Sequence, residues 1–264
     1  MKPYFPEDMS PPTVEQRRKF YRDEFERWNL KVLNFKWERP VLAVDVGTES
    51  TRYRPKHKDY LGKIVFIREY RNLDHLVKKI VGYAPEDLYY DTRTYDRDPR
   101  QTNAIWERPS GKQLVFDLDP ELVECRHCER IRKNNEGKRF AKYTFCEDCF
   151  SELAEQTAKL VVFLRRNFDS INIYFSGRGF HVHVNDQEAF DMDDFDRETL
   201  AEKLSKRFPI DRKITAGEKN LIRMPGSLHG LTGRKVVEVG VEELKNPEMI
   251  LYDKSVPDVF RDEV

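Results

Sequence analysis

Glycine is scarce in this chain, 12 of 264 residues, and there is no net charge, because 47 lysines and arginines balance 47 aspartates and glutamates. The balance excludes the overall basic character of a nucleic-acid coat, so any site for a polyanion must be a local patch. No apolar run approaches the roughly 20 residues of a membrane span. The start, "MKPYFPEDMSPP", lacks the basic segment and apolar core of a signal peptide, so a cytoplasmic protein without membrane contact is expected. Repeats and low-complexity tracts are absent as well. Few glycines, 36% charged residues and a mean hydropathy of -0.77 lean towards a heat-adapted protein rich in surface ion pairs.

What is present suffices for a substantial core in one large domain or two small ones. Thr13 caps a helix in "TVEQRRKFYRDEFERWNL", where Val14, Phe20, Phe25 and Trp28 are scattered among charges as on a surface helix. "PVLAVDVG" and "GKIVFIREY" read as strands, and "NLDHLVKKIVGY" as a short helix capped by Asn72. "EDLYYDTRTYD", "NAIWE" and "KQLVFDLD" add aromatic and β-branched segments. The period then changes: Phe150, Leu153, Leu160, Val161, Leu164 and Phe168 form a helical stripe. "SINIYF" and "FHVHV" are strands joined by "SGRG", followed by the helix "FDRETLAEKLSKRF", a loop "NLIRMP" and the strand "RKVVEVGV". Without a regular βαβ repeat, this order predicts an α+β fold with a largely antiparallel or mixed sheet.

Chemistry enters with "LVFDLDP". In a strand, Leu114, Phe116 and Leu118 share one face while Val115, Asp117 and Asp119 share the other. Adjacent carboxylates repel unless a proton or cation intervenes, which suits a hard divalent ion; a polar strand face meeting solvent is the alternative.

The four cysteines, Cys125, Cys128, Cys146 and Cys149, form two CxxC pairs separated by "ERIRKNNEGKRFAKYTF". That spacing suits a zinc site of four thiolates, closed and therefore structural. The charged intervening segment has no core of its own, so metal would supply much of its folding energy. Disulfides suit secreted proteins instead, and His127 reads as a bystander. Arg126, Arg130, Arg132, Lys133, Lys138, Arg139 and Lys142 crowd this segment, either as a solvated face or as a contact for a nucleic-acid backbone.

In "YFSGRGFHVHV", Gly177 and its neighbours permit close backbone approach to an anion, Ser176 offers a hydroxyl and Arg178 pairs with phosphate oxygens. A plain hairpin turn is the alternative. His181 and His183 share one strand face, and position favours His181. Downstream, Asp211, Lys213, Arg223, Ser227 and His229 punctuate "IDRKITAGEKNLIRMPGSLHG", and Asp211 could complete the carboxylate pair. By accumulation, these residues describe a site for triphosphate and divalent metal.

In order, spacing and chemistry, Leu114 to Gly233 resembles the catalytic small subunit of archaeal and eukaryotic DNA primases, the archaeo-eukaryotic primase superfamily. The resemblance implies its catalytic core across 1–264, with mixed or antiparallel sheets and a zinc-binding knuckle inserted at 125–149. It implies catalytic Mg2+ or Mn2+ on Asp117, Asp119 and Asp211, and nucleotide binding by Ser176, Gly177, Arg178, His181, Lys213, Arg223, Ser227 and His229. The implied reaction is primer synthesis on a single-stranded DNA template from nucleoside triphosphates, in a heterodimer with a large subunit carrying an iron-sulfur domain. Two departures stand out. Glu38 and Arg39 reverse the order of the family's "RE" element, and only the short stretch from Val184 to Asp211 occupies the place of a helical subdomain. The alternatives are a stand-alone primase-polymerase of repair or plasmid replication, and a non-catalytic zinc module that binds single-stranded DNA.

Overall fold

The computed structural model describes residues 5–25, 41–47, 63–67, 70–94, 109–137 and 141–261. "NAIWE", Trp28, Glu38, Arg39, Lys138 and Arg139 lie outside them.

Thr13 opens α1, Val14–Asp23, through a reciprocal cap: its hydroxyl accepts from the Gln16 amide, and the Gln16 side chain accepts from the Thr13 amide. This is not the surface helix that its charges suggest, because Arg17, Phe20 and Tyr21 are buried. They sit at i, i+3 and i+4 and so share one face. Burying Arg17 is tolerable because carbonyls of Ala84 and Pro12 each accept from its guanidinium at 2.9 Å.

In the first sheet, β1 (Leu42–Asp45) lies antiparallel between β2 (Ile64–Ile67) and β3 (Asp87–Asp91). Helix α2, Leu73–Tyr83, starts at the Asn72 cap and joins β2 to β3. A short ribbon of β4 (Arg93–Thr94) and β5 (Gly111–Lys112) leads to β6, Leu114–Leu118. The second sheet has the order β10-β7-β8-β6, with β7 at Ile171–Phe175, β8 at Phe180–Val184 and β10 at Val237–Val239. Among the described residues every strand pairing is antiparallel, in keeping with an α+β fold.

One correction concerns "NLIRMP". Leu221–Arg223 is a strand, β9, paired with β3 at the edge of the first sheet. Three residues are too few to show a period, yet the pairing buries Ile222 and turns Arg223 to the other face beside Tyr89.

Two apolar clusters hold these layers. Leu114, Phe116 and Leu118 from β6 and Phe180, Val182 and Val184 from β8 pack under Phe150, Leu153, Leu160, Val161 and Leu164 of a long helix, Glu147–Leu164. This helix is α4; α3, Arg126–Asn134, starts inside the first cysteine pair and carries Cys128. The second cluster joins Phe20 and Tyr21 of α1 to Leu76 and Ile80 of α2 and to Leu88 and Tyr90 of β3. Val115, from the other face of β6, belongs to this second cluster, so both faces of the second sheet are covered. His181 and His183 are therefore buried between layers, where the alternation alone suggested only a side away from the core. After β8 come α5 (Gln187–Asp191), α6 (Asp194–Ser205) and α7 (Arg212–Thr215). Among the described residues no helix is long and apolar enough to cross a membrane.

Candidate active site and metal centre

The end of β6 sets the site. Backbone alternation turns Asp117 away from the α4 core, and Asp119, still extended, follows on the same side. The antiparallel register places His181 of β8 opposite Asp117, with His181 Nε2 3.5 Å from Asp117 Oδ1. Asp211 arrives from the far end of the sequence and is tied in by its amide, which donates to the Asp117 carbonyl at 2.7 Å. Asp211 also caps α7, accepting from the Lys213 amide.

The β7–β8 turn is both a hairpin and a wall of the site. The Ser176 amide donates to Gly179 O, and the Gly179 amide donates to Ser176 Oγ. Gly177 has a φ of +95°, and a Cβ there would lie 2.2 Å from the His229 Cβ; at Gly179 it would lie 2.1 Å from Leu118 O. Two glycines are thus needed for the turn to press against both the aspartate strand and the His229 loop. Thr232 fastens that loop by donating to Gly177 O at 2.7 Å.

A cleft of about 550 Å³ results, lined among others by Asp117, Asp119, Asp211, Ser176, Arg178, His181, Arg223 and His229. Eight of the expected residues therefore meet at one place. Lys213 is exposed and not among the lining residues. Ser227 is fully buried and donates to Met224 O, so its hydroxyl shapes the turn that carries His229.

Basic side chains answer the acidic ones across the cleft. Arg178 donates to Asp119 Oδ1 at 2.8 Å and pairs with Glu121, and Lys219 meets Asp211 Oδ2 at 2.9 Å. Arg223 donates twice to Asp87 Oδ1, at 3.1 and 2.8 Å, and covers the Tyr89 ring at 5.6 Å. Burial, reinforced by the neighbouring Asp119 charge, pushes the Asp117 carboxyl well above its ordinary range. Burial also drives His181 and His229 well below the usual imidazole value, helped at His229 by the Arg223 and Arg178 charges. His229 Nδ1 accepts from the Leu231 amide at 3.2 Å, which leaves the proton of the neutral ring on Nε2 as a donor.

Sequence reasoning missed Asp87, Tyr89, Glu121, Tyr143 and Lys219. Asp87 and Tyr89 alternate with buried Leu88 and Tyr90, the same period-two signal that exposed Asp117 and Asp119.

The four thiols form a separate centre. Their sulfurs all lie within 4.8 Å of one another, with Cys149–Cys128 at 3.4 Å, Cys146–Cys149 at 3.5 Å and Cys125–Cys146 at 3.9 Å. Zinc–sulfur bonds of about 2.3 Å in a tetrahedron separate sulfurs by about 3.8 Å, so the cage has the size of a four-thiolate metal site. Among the described residues it is the only such group of three or more His, Cys, Asp or Glu.

The comparisons agree with this architecture. A family model described as DNA primase small subunit matches residues 132–207. The chain is 35% identical to an uncharacterized DNA primase small subunit-like protein of Archaeoglobus fulgidus, over 92% of this chain and 90% of that one. It is 26% identical to the DNA primase small subunit PriS of Sulfolobus acidocaldarius, over 81% of this chain and 76% of that one. In fold it is similar to the polymerase domain of Mycobacterium tuberculosis Ligase D in complex with DNA, with a TM-score of 0.51, 14% identity and coverage of 95% and 89%. The chain belongs to the DNA primase small subunit family.

Proposed function

We propose that the protein is a DNA primase catalytic subunit, a DNA-directed nucleotidyltransferase that joins nucleoside triphosphates into short primers on single-stranded DNA and releases pyrophosphate. Family membership supports the class of reaction. The observation that carries the assignment to this cleft is the convergence of Asp117, Asp119 and Asp211 with Ser176, Arg178, His181, Arg223 and His229.

Oxygen donors that repel one another, and are now met by Arg178 and Lys219, fit hard divalent cations. Asp117, Asp119 and Asp211 would hold Mg2+ or Mn2+. Bound there, the ions would lower the pKa of an attacking 3'-hydroxyl and offset charge on the leaving pyrophosphate. The chain's own residues then bind and orient the triphosphate. Arg178 exchanges carboxylate for phosphate oxygens, Arg223 stays aimed by Asp87, and neutral His181 and His229 donate hydrogen bonds. Gly177 lets the Ser176 turn approach.

The thiol cage fits structural Zn2+, which would make 125–149 a zinc-binding module within a single catalytic domain spanning 1–264. A large subunit completing a heterodimer is part of the same proposal.

The test is synthesis without a primer. Purified protein, single-stranded DNA, Mg2+ or Mn2+ and labelled nucleotides should yield short products with the native chain and none with Asp117→Asn. Equal synthesis by that variant would overturn the assignment. Extension of an annealed primer, but no initiation, would place the polymerising chemistry here and initiation with the large subunit.

A further inference from the structure

The thiol module reaches into the cleft. Three residues before Cys146, the turn Ala141–Tyr143 packs against the turn Pro120–Leu122, which directly follows Asp119. Lys142 and Tyr143 both line the cleft. The Arg178 guanidinium lies 5.1 Å from the centre of the Tyr143 ring, and the Lys142 ammonium 4.7 Å from it. One ring thus carries two cations.

The position of this ring is set from behind. Thr144 and Phe145 are buried, and the Phe145 ring packs between Phe5 at 5.7 Å and Phe150 at 6.4 Å. The Thr144 carbonyl accepts from Arg132 of α3 at 3.3 Å. Cys146 then joins the thiol cluster.

We propose that Lys142 and Tyr143 complete a polyphosphate pocket, with Tyr143 as the positioning residue for Arg178 and Lys142 as a further cation for the terminal phosphates of a nucleoside triphosphate. This inference rests on the reading of the cleft as a nucleotide site. Its physical basis is the way a guanidinium is held. Asp119 and Glu121 occupy the N–H edges of Arg178, the same edges that phosphate oxygens need. An aromatic face holds the cation through its plane and leaves those edges free. When phosphate replaces the carboxylates, Tyr143 keeps Arg178 in place. Lys142 is exposed at the same ring and meets the outer end of the same anion.

The experiment is calorimetric binding of ATP with Mg2+, and of AMP, to the whole 264-residue chain and its variants. Tyr143→Ala should weaken MgATP binding roughly 3- to 20-fold, the span expected for a partly desolvated cation–π contact, and leave AMP unchanged. Tyr143→Phe should restore binding, and Tyr143→Leu, which fills the space without a ring, should not. In primer synthesis Tyr143→Ala should raise KM more than it lowers kcat. Lys142→Gln should cost roughly 2- to 5-fold and make MgATP binding less sensitive to salt. Unchanged MgATP affinity in Tyr143→Ala and Tyr143→Leu, or equal loss for MgATP and AMP, would overturn the inference alone, provided that Asp117→Asn still abolishes synthesis. A native chain that binds no MgATP would overturn the nucleotide reading as well.

Discussion

The thiol cluster and the acidic cleft solve one problem, crowding of like ligands, in opposite ways. The thiols converge until sulfur meets sulfur at 3.4 to 3.9 Å. Burial pushes the Cys128 thiol up and takes Cys149 to about 12, whereas at Cys125 hydrogen bonds from its neighbours outweigh burial and draw the thiol down. The cluster thus shares protons unevenly, and a metal would have to displace those on Cys128 and Cys149. The aspartates are met by side-chain cations instead, Arg178 on Asp119 and Lys219 on Asp211. A closed cage suits an ion that stays, whereas open carboxylates whose charge is answered by neighbouring cations suit ions that enter and leave with substrate.

Asp117→Asn attacks the open site and carries the largest expected effect. Incorporation should fall by at least about 10²- to 10³-fold, the scale of losing a transition-state electrostatic partner. Stability should not fall with it. A carboxyl whose folded pKa is raised binds protons more readily in the folded state, so its contribution declines as pH rises from the unfolded value of about 4. The amide removes that penalty at neutral pH, and thermal melting of the variant should be at or above the native temperature.

Cys146→Ser attacks the closed site and should do the reverse. Melting temperature should fall first, with a drop in bound zinc measured by elemental analysis, because a metal there would organise a segment that adds only Phe145 to the buried core between the two cysteine pairs. Normal stability in a zinc-free sample would contradict the structural role.

Acid separates buried His183 from both sites. Burial lowers His183 to about 3, so the folded state binds fewer protons than the unfolded state between there and about pH 6.5. Its contribution is present above pH 6.5 and lost as pH falls. Between pH 6.5 and 5 this amounts to about 2 kcal/mol from His183, and urea unfolding should show a shallower pH dependence in His183→Gln.

Asp87→Asn should have the mildest effect. It keeps one acceptor for Arg223 and the Gly230 amide but removes the charge. A rise in nucleotide KM of about 3- to 10-fold is expected, equal to a charge-assisted hydrogen bond weakened by about 1 kcal/mol. A kcat loss without a KM change would show Asp87 acting otherwise.

Much of this was legible in the sequence where a residue's partner lies close along the chain. The CxxC pairs, the Thr13 and Asn72 caps, the α4 stripe and the alternation at Asp117 and Asp119 are local signals, and all four recur in the structure, except that α4 ends at Leu164 and leaves Phe168 beyond it. What escaped depends on long-range contact. The buried face of α1 rests on Arg17 reaching the carbonyl of Ala84, and β9 exists because β3 pairs with it. Lys213 has the charge to meet a triphosphate, but α7 turns it outward, and Lys219 meets Asp211 instead. Ser227 has a hydroxyl to offer phosphate, but it donates to Met224 O instead. Tyr143 hid within a segment read for charge alone, although its ring lies 5.1 Å from the Arg178 guanidinium.

The contrast between a closed and an exchangeable site is tested most directly by Mn2+ titration of zinc-loaded protein, followed by electron paramagnetic resonance of free Mn2+. The native chain should bind Mn2+ saturably. Asp117→Asn and Asp119→Asn should lose that binding while zinc stays at one per chain. Mn2+ binding that survives both substitutions, or that displaces the zinc, would contradict the assignment of exchangeable metal to the aspartate cleft.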